Sequence, residues 1–401
     1  MEETTWNNGG QYEPGSKFQE RALAMLKSTK WDRLLYIAST LRNGIPCVIS
    51  ESFSLGQSNI VRRLEFTDGI NWVARVRMPA LTSVLPGEQL LNIAAELQVE
   101  VASLKTKTSI PVPEVHFHSV DPTNDVGAPY ILMDYIHGTT AKELRDAKNC
   151  HYNLFGTPEH DRRFREQMAE IQVQLSTFKF DKIGSLYCNE ETSDFSIGAE
   201  VETGKGPWTS SNEFYVHLAD HALHACKRKA GRNVTESPSF ENPILFKRLM
   251  PVYNYGSSDD KGFGLVNRDF GDHNLIVDDE FRIVGVIDFD GLMAAPIEVV
   301  AQYPNMSSLH QEPPGHVETI PLAIEVMEDT KLKLIEYKEM VKAAESRMGG
   351  GTKDTPIADL MMSDTASVYQ GLWEYRYHSI SHNTDWMVAY KKLLINHVSS
   401  D

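Results

Sequence analysis

Leu265-Val266-Asn267-Arg268-Asp269-Phe270-Gly271-Asp272-His273-Asn274-Leu275-Ile276-Val277 decides how this chain is read. The polar turn Asp278-Asp279-Glu280 follows, then Ile283-Val284-Gly285-Val286-Ile287-Asp288-Phe289-Asp290. Short apolar runs on either side of a polar turn predict a hairpin, Leu275–Val277 against Phe281–Ile287. Asp269 and Asn274 stand five residues apart across a turn that contains Gly271. Asp288 closes the second strand of the hairpin, 14 residues after Asn274.

Outward from this island the chain changes character. On its N-terminal side, residues 17–42 carry apolar side chains at helical spacing. Ile60, Leu64 and Phe66 suit one face of a strand, Thr67-Asp68-Gly69 is a hairpin turn signal, and Trp72–Arg77 reads as the return strand. Residues 88–105 return to helical spacing, and Ile110-Pro111-Val112-Pro113 ends that helix. Two short strands follow, Glu114–Val120 and Tyr130–Tyr135. Beyond His137-Gly138 the pattern is helical. Phe164, Met168, Ile171, Leu175 and Phe178 are spaced 4, 3, 4 and 3, the mark of an amphipathic helix. Residues 210–229, 318–347 and 357–383 read as further helices, the last two separated by Gly349-Gly350-Gly351. Parallel βαβ alternation is missing, which argues against a dinucleotide-binding sheet. The expected fold class is α+β. A β-rich part, residues 1–136 with a loose N-terminal arm, precedes a larger helical part, residues 137–401, that carries the inserted hairpin.

Composition narrows the partners. With 39 Lys+Arg against 55 Asp+Glu in 401 residues, the net charge is −16. A surface this acidic does not suit nucleic acid, whose binding needs clustered basic groups. The hydrophobic share of 41% is enough for a real core. Cys47, Cys150, Cys188 and Cys226 lie far apart without metal-binding spacing and read as reduced thiols. The first residues hold no apolar signal core, and no stretch is long and apolar enough to span a membrane. A cytoplasmic protein with no membrane or nucleic-acid partner is the expectation; oligomeric state leaves no trace in the sequence.

The chemistry sits on the island. Phosphoryl transfer needs a carboxylate beside the attacking hydroxyl, to orient it and accept its proton. It also needs oxygen ligands, an amide and a second carboxylate, that hold Mg²⁺ against the triphosphate. D-x-x-x-x-N followed by a strand-end Asp is the arrangement of the protein-kinase catalytic and metal-binding loops. On these motifs the chain resembles the phosphotransferase enzyme family, the kinase-fold group that includes aminoglycoside phosphotransferases and choline kinases, and looks most like its fungal branch. The resemblance covers roughly residues 50–310. It implies a bilobal protein-kinase-like fold, with a small antiparallel sheet in the N-lobe and a mainly helical C-lobe. It implies ATP and Mg²⁺ as cofactors, Asp269 as catalytic base, and Asn274 and Asp288 as metal ligands.

The same resemblance implies the nucleotide site. Arg75, after Trp72-Val73-Ala74, stands where the family has a phosphate-contacting Lys, and Arg77 on the same strand face is the runner-up. Glu100 matches the helix residue that pairs this cation, with Glu96 one turn earlier as the alternative. Ser54, Gly56 and Ser58 lie where a phosphate-covering loop belongs, although one Gly replaces the usual three. The backbone of Asp134 and Ile136 would meet the adenine edge. Asn267 replaces the customary His of the catalytic loop, and Arg75 replaces Lys. No A-P-E signature follows Asp288, which favours a small-molecule acceptor over a protein. The acidic crowding between Asp269 and Asp290 would suit a cationic acceptor. The expected activity is transfer of the γ-phosphate of ATP to an alcohol. The alternatives are a catalytically weak nucleotide-binding pseudokinase or scaffold and, further off, a Ser/Thr protein kinase.

Overall fold

The computed structural model describes residues 6, 13–56, 58–79, 92–106, 108–151, 153–230, 241–252, 258–309, 311, 324–348, 356–377 and 390–395. In chain order the elements begin with α1 (Lys17–Ser28), α2 (Trp31–Leu41), β1 (Cys47–Leu55), β2 (Asn59–Phe66), β3 (Asn71–Arg77) and α3 (Ile93–Leu104). Next come β4 (Val115–Ser119), β5 (Tyr130–Asp134), β6 (Thr139–Thr140), α4 (Ala141–Ala147), α5 (Pro158–Ser176), β7 (Gly184–Cys188) and β8 (Phe195–Gly198). The rest are α6 (Ser211–Ala230), α7 (Glu241–Leu249), β9 (Gly264–Asn267), β10 (Leu275–Val277), β11 (Ile283–Val286), β12 (Leu292–Ala295), α8 (Ile297–Val300), α9 (Ile324–Met348), α10 (Ile357–Leu360) and α11 (Asp364–Tyr377).

These elements gather into two compact units. One comprises Met1–Cys150, Leu186–Lys205 and Asp272–Leu292; the other comprises His151–Ser185, Gly206–Gly271 and Met293–Asp401. The α+β class follows directly, since the first unit is built on an antiparallel sheet and the second is mainly helical.

The sheet of the first unit has five strands in the order β1-β2-β3-β5-β4, all neighbours antiparallel. Gly69 makes its tight turn, with φ of 86° and its N–H donating to the Phe66 carbonyl. Ala22, Met25, Leu34 and Ala38 from α1 and α2 join Ile60, Leu64, Trp72, Val76 and Leu132 in one buried cluster. The apolar spacing of residues 17–42 continues across a break between α1 and α2. There the Thr29 hydroxyl donates to the Met25 carbonyl, and the Lys30 N–H leaves the helix to donate to Val126. A second, three-stranded sheet, β11-β10-β6, holds the hairpin. Gly138 is required beside it: a Cβ there would lie 2.6 Å from the Val277 carbonyl oxygen, at a φ of +148°.

In the second unit, α5 starts on a Thr157 cap with Pro158 in its first turn and buries Phe164, Met168, Ile171 and Leu175. Its buried Asp161 accepts from Arg165 and from Lys333 of α9, and Arg165 also reaches Glu336. Gly184-Ser185 of β7 pairs with Met293-Ala294 of β12, which neighbours β9. The sequence pattern of residues 357–383 resolves into α10 and α11, broken at Met362 with φ of 66°. Residues 88–91, 318–323, 349–351 and 378–383 of the expected helices and their spacer lie outside the described residues.

Candidate functional site

The hairpin of the first unit sets Asn274 and Asp288, the two expected oxygen ligands, side by side. Leu275 faces Val286 in the ladder, and the Ile287 N–H donates to the Asn274 carbonyl at 3.0 Å. Asn274 and Asp288 therefore sit at the same open end of β10 and β11. The Val286 N–H donates to the Pro111 carbonyl, which ties this end to the segment after α3. Asp272, just before it, is fastened by Arg145 of α4 at 3.0 Å. Asp288 itself is left-handed (φ 60°, ψ 58°), a backbone state that Asp tolerates better than most L-residues.

Strand alternation puts Arg75 and Arg77 on one face of β3, and helical period puts Glu96 and Glu100 on one face of α3. The structure joins them as two parallel pairs. Arg75 Nε meets Glu100 Oε1 at 3.0 Å, and Arg77 forms an ion pair with Glu96. Glu96, the alternative partner for Arg75, thus meets Arg77 instead. Arg75 continues to Asp288, Nη2 to Oδ1 at 2.5 Å, a contact between residues 213 apart in the chain. The Glu100 side chain is 3% exposed and that of Asp288 34% exposed. Burial pushes the Asp288 carboxyl up, but the Arg75 guanidinium outweighs it, helped by Arg77 and His273, and holds the group below the ordinary 3.8.

Asn59 is the residue that sequence reasoning passed over. With its amide oxygen turned to the cations, it accepts from Arg75 Nε at 3.0 Å, Arg75 Nη2 at 2.8 Å and Arg77 Nη1 at 3.2 Å. The signal was its position opposite Arg77 across β2 and β3, which is visible only once the register is known.

The other expected residues take simple positions. Ser54 pairs with Val61 in the β1–β2 ladder, and the Gly56 N–H closes the turn on the Asn59 carbonyl at 2.9 Å. The Ser58 carbonyl accepts from the Met78 N–H at 2.8 Å. Asp134 ends β5, where its carboxylate meets His116 Nε2 at 2.8 Å. Ile136 packs on Gly285: a Cβ there would lie 2.6 Å from Ile136 Cδ1. Asp269 belongs to the second unit. It is half-buried in the loop after β9, and its N–H donates to Asn267 Oδ1 at 3.1 Å. Asn267, where a His is customary, thus shapes the loop that carries Asp269. The bridge between Gly271 and Asn305 and the Asn305 N–H donating to the Phe270 carbonyl brace the same loop.

A second perturbed carboxyl lies in this unit, without a sequence signal. Glu298 of α8 is buried and accepts from the Tyr215 hydroxyl at 3.1 Å. It lines a small cavity with Lys179, Ser211, Asp259 and Phe263. Burial, with Asp259 adding to it, pushes its pKa up to about 7. The folded state then keeps a proton that the unfolded chain releases near 4.5, so stability falls as pH rises between these values. The full difference is about 3 kcal/mol. Glu298→Gln, which keeps the Tyr215 bond, is expected to match the wild type near pH 4 and exceed its melting temperature at pH 8. An equal gap at both pH values would show that Glu298 does not titrate in this way.

Several known proteins are similar to this chain. Altered inheritance of mitochondria protein 9, mitochondrial, from Candida albicans is 24% identical over 315 residues, which are 61% of this chain and 49% of that protein. A subtelomeric hrmA-associated cluster protein of Aspergillus fumigatus is 28% identical over 152 residues, covering 36% of this chain and 27% of its own. The chain thus spans about half, or less, of the length of these curated relatives. Among solved structures, a macrolide 2'-phosphotransferase type I aligns with 91% of this chain and 97% of its own, at 15% identity and a TM-score of 0.44. The GDP complex of an aminoglycoside 2'-phosphotransferase-IIIa mutant aligns with 92% and 97%, at 15% identity and a TM-score of 0.42. The model of the phosphotransferase enzyme family matches residues 51–299, which hold β2, β3, α3, the loop of Asp269 and the hairpin that ends on Asp288, and the chain belongs to that family.

Proposed function

We propose that the protein is an ATP- and Mg²⁺-dependent small-molecule phosphotransferase that moves the γ-phosphoryl group to a hydroxyl of its acceptor. One observation carries the reading: Glu100, Arg75 and Asp288 form a continuous ion-pair chain within the unit that also holds Asn274. Glu100 fixes the Arg75 guanidinium, whose planar fork suits phosphate oxygens. Asn274 and Asp288 supply an amide oxygen and a carboxylate at one hairpin end, hard donors of the kind Mg²⁺ takes together with phosphate and water. Mg²⁺, when bound, neutralises charge on the phosphate oxygens. Asp269 orients the acceptor hydroxyl and takes its proton as the new O–P bond forms and the bond to the β-phosphate oxygen breaks. The backbone of Asp134 and Ile136 is the proposed adenine edge, and the Ser54–Ser58 turn the phosphate cover.

Two measurements test this. Mg·ATP is expected to raise the melting temperature, and ATP without metal to raise it less. A metabolite extract incubated with Mg·ATP is expected to yield a phosphorylated small molecule by mass spectrometry. No thermal shift would remove the nucleotide site. A shift without any adduct would favour a catalytically weak nucleotide-binding protein, and phosphate found only on peptides would favour a protein kinase. The acidic segment supports a cationic acceptor, and equal turnover of neutral and cationic alcohols would remove that part. The proposed compartment is the cytoplasm; co-fractionation of the tagged chain with mitochondria would overturn it.

A further inference from the structure

The array around Arg75 holds more charge than one cation–carboxylate pair requires. Arg75, Arg77, Glu96 and Glu100 are 8%, 6%, 8% and 2% exposed, and Asn59, which joins the two guanidiniums, is 6% exposed. Four buried charges are a poor device for stability, because apolar groups of similar volume serve as well or better. Their geometry indicates another use. The pairs run in opposite chain directions, Arg75 with Glu100 and Arg77 with Glu96. Two strand residues advance about 6.8 Å and four helical residues about 6 Å, so the two rungs are nearly commensurate. One rung alone lets a helix roll about its axis over a strand. Two rungs fix both its rotation and its slide. Asn59, at the start of β2 just after Ser58, adds this end of β2 to the same lock.

We propose that Arg77 is a positioning residue for nucleotide binding, holding α3 and the end of the β1–β2 hairpin in register with Arg75 through Glu96 and Asn59. This rests on the nucleotide-site reading above. Arg77 need not touch the phosphates. It acts by keeping Arg75 and the start of β2 preorganised, so that binding does not have to order them.

Calorimetric titration of the full chain with Mg²⁺ and a non-hydrolysable ATP analogue tests it, with thermal melts as the second readout. Arg77→Met leaves Glu96 buried and unpaired, so both melting temperature and affinity are expected to fall. The double variant R77M/E96L removes both charges. Its melting temperature is expected to return near the wild type while the Kd stays about tenfold weaker, or about 1.4 kcal/mol. A double variant that binds within about twofold of the wild type would make the rung a packing device and overturn the proposal. If that variant does not fold, Arg77→Lys, which keeps the charge but loses the fork, decides. A Kd several-fold weaker is expected, and an unchanged Kd overturns the inference. A wild-type chain that binds no nucleotide would remove the underlying site, a result distinct from a wild type that binds and variants that bind equally well.

Discussion

Asp269→Asn is expected to lower phosphoryl transfer by about 10²- to 10⁴-fold, the usual contribution of a positioned proton acceptor. The thermal shift with Mg·ATP should persist, because the proposed nucleotide ligands lie on other residues. The substitution is nearly isosteric, and the contact that shapes the loop runs from the Asp269 backbone to Asn267, so it survives the change. A fall in rate without a fall in nucleotide affinity therefore isolates the proton-accepting role. Transfer at the wild-type rate in this variant would show that another group accepts the proton. Loss of folding as well as activity would be visible in the melt and is not expected from a half-buried loop side chain.

Arg75→Met is expected to have the largest effect on stability, a loss of about 3 to 5 kcal/mol, because it removes the guanidinium that pairs with two carboxylates at once. Glu100 is almost wholly enclosed, and Asp288 loses the partner that holds it ionised. The sign with pH follows. A carboxyl held below its ordinary 3.8 in the folded state contributes stability above that value and loses it as pH falls through the lowered one. The gap between wild type and variant should therefore be full at neutral pH and narrow on acidification. Arg75→Lys should recover part of it, since an ammonium keeps the charge but cannot span both carboxylates with one planar fork. Denaturant titrations of the three proteins at neutral and acid pH check this. A pH-independent gap would mean the loss came from packing alone.

Much of the fold was legible where residues close in sequence decide the structure. The turn at Thr67–Gly69, the strand Trp72–Arg77 and the amphipathic α5 each follow from local pattern and appear at nearly the expected bounds. The pairing of Arg75 with Glu100 came from the family resemblance, which left Glu96 open as the alternative, and the structure joins Arg75 to Glu100. What escaped depends on distant partners. The contact of Arg75 with Asp288 spans 213 residues, and Glu298 meets Tyr215 across 83. Asn59 gains its meaning only from its register opposite Arg77. The strands β7, β8 and β12 have 5, 4 and 4 residues, too few for a two-residue period to stand out. The break between α1 and α2 was hidden because its apolar spacing runs on through Thr29 and Lys30, whose capping bonds periodicity cannot show.

The first unit is discontinuous: Asp272–Leu292 belongs with Met1–Cys150 although 121 residues separate them. On the ribosome this imposes a schedule. At about 5–20 residues per second, the hairpin emerges roughly 6 to 24 s after the rest of this unit up to Cys150. During that interval Arg75 of the sheet and Glu100 of α3 are made while Asp288 is still to come, so the ion-pair chain lacks its last member. A nascent chain in that state is a natural client for chaperones, and a fragment cut at Cys150 would be frozen in it. Dissecting the protein at the visible edge of its N-terminal sheet would thus isolate an intermediate of its synthesis rather than a domain.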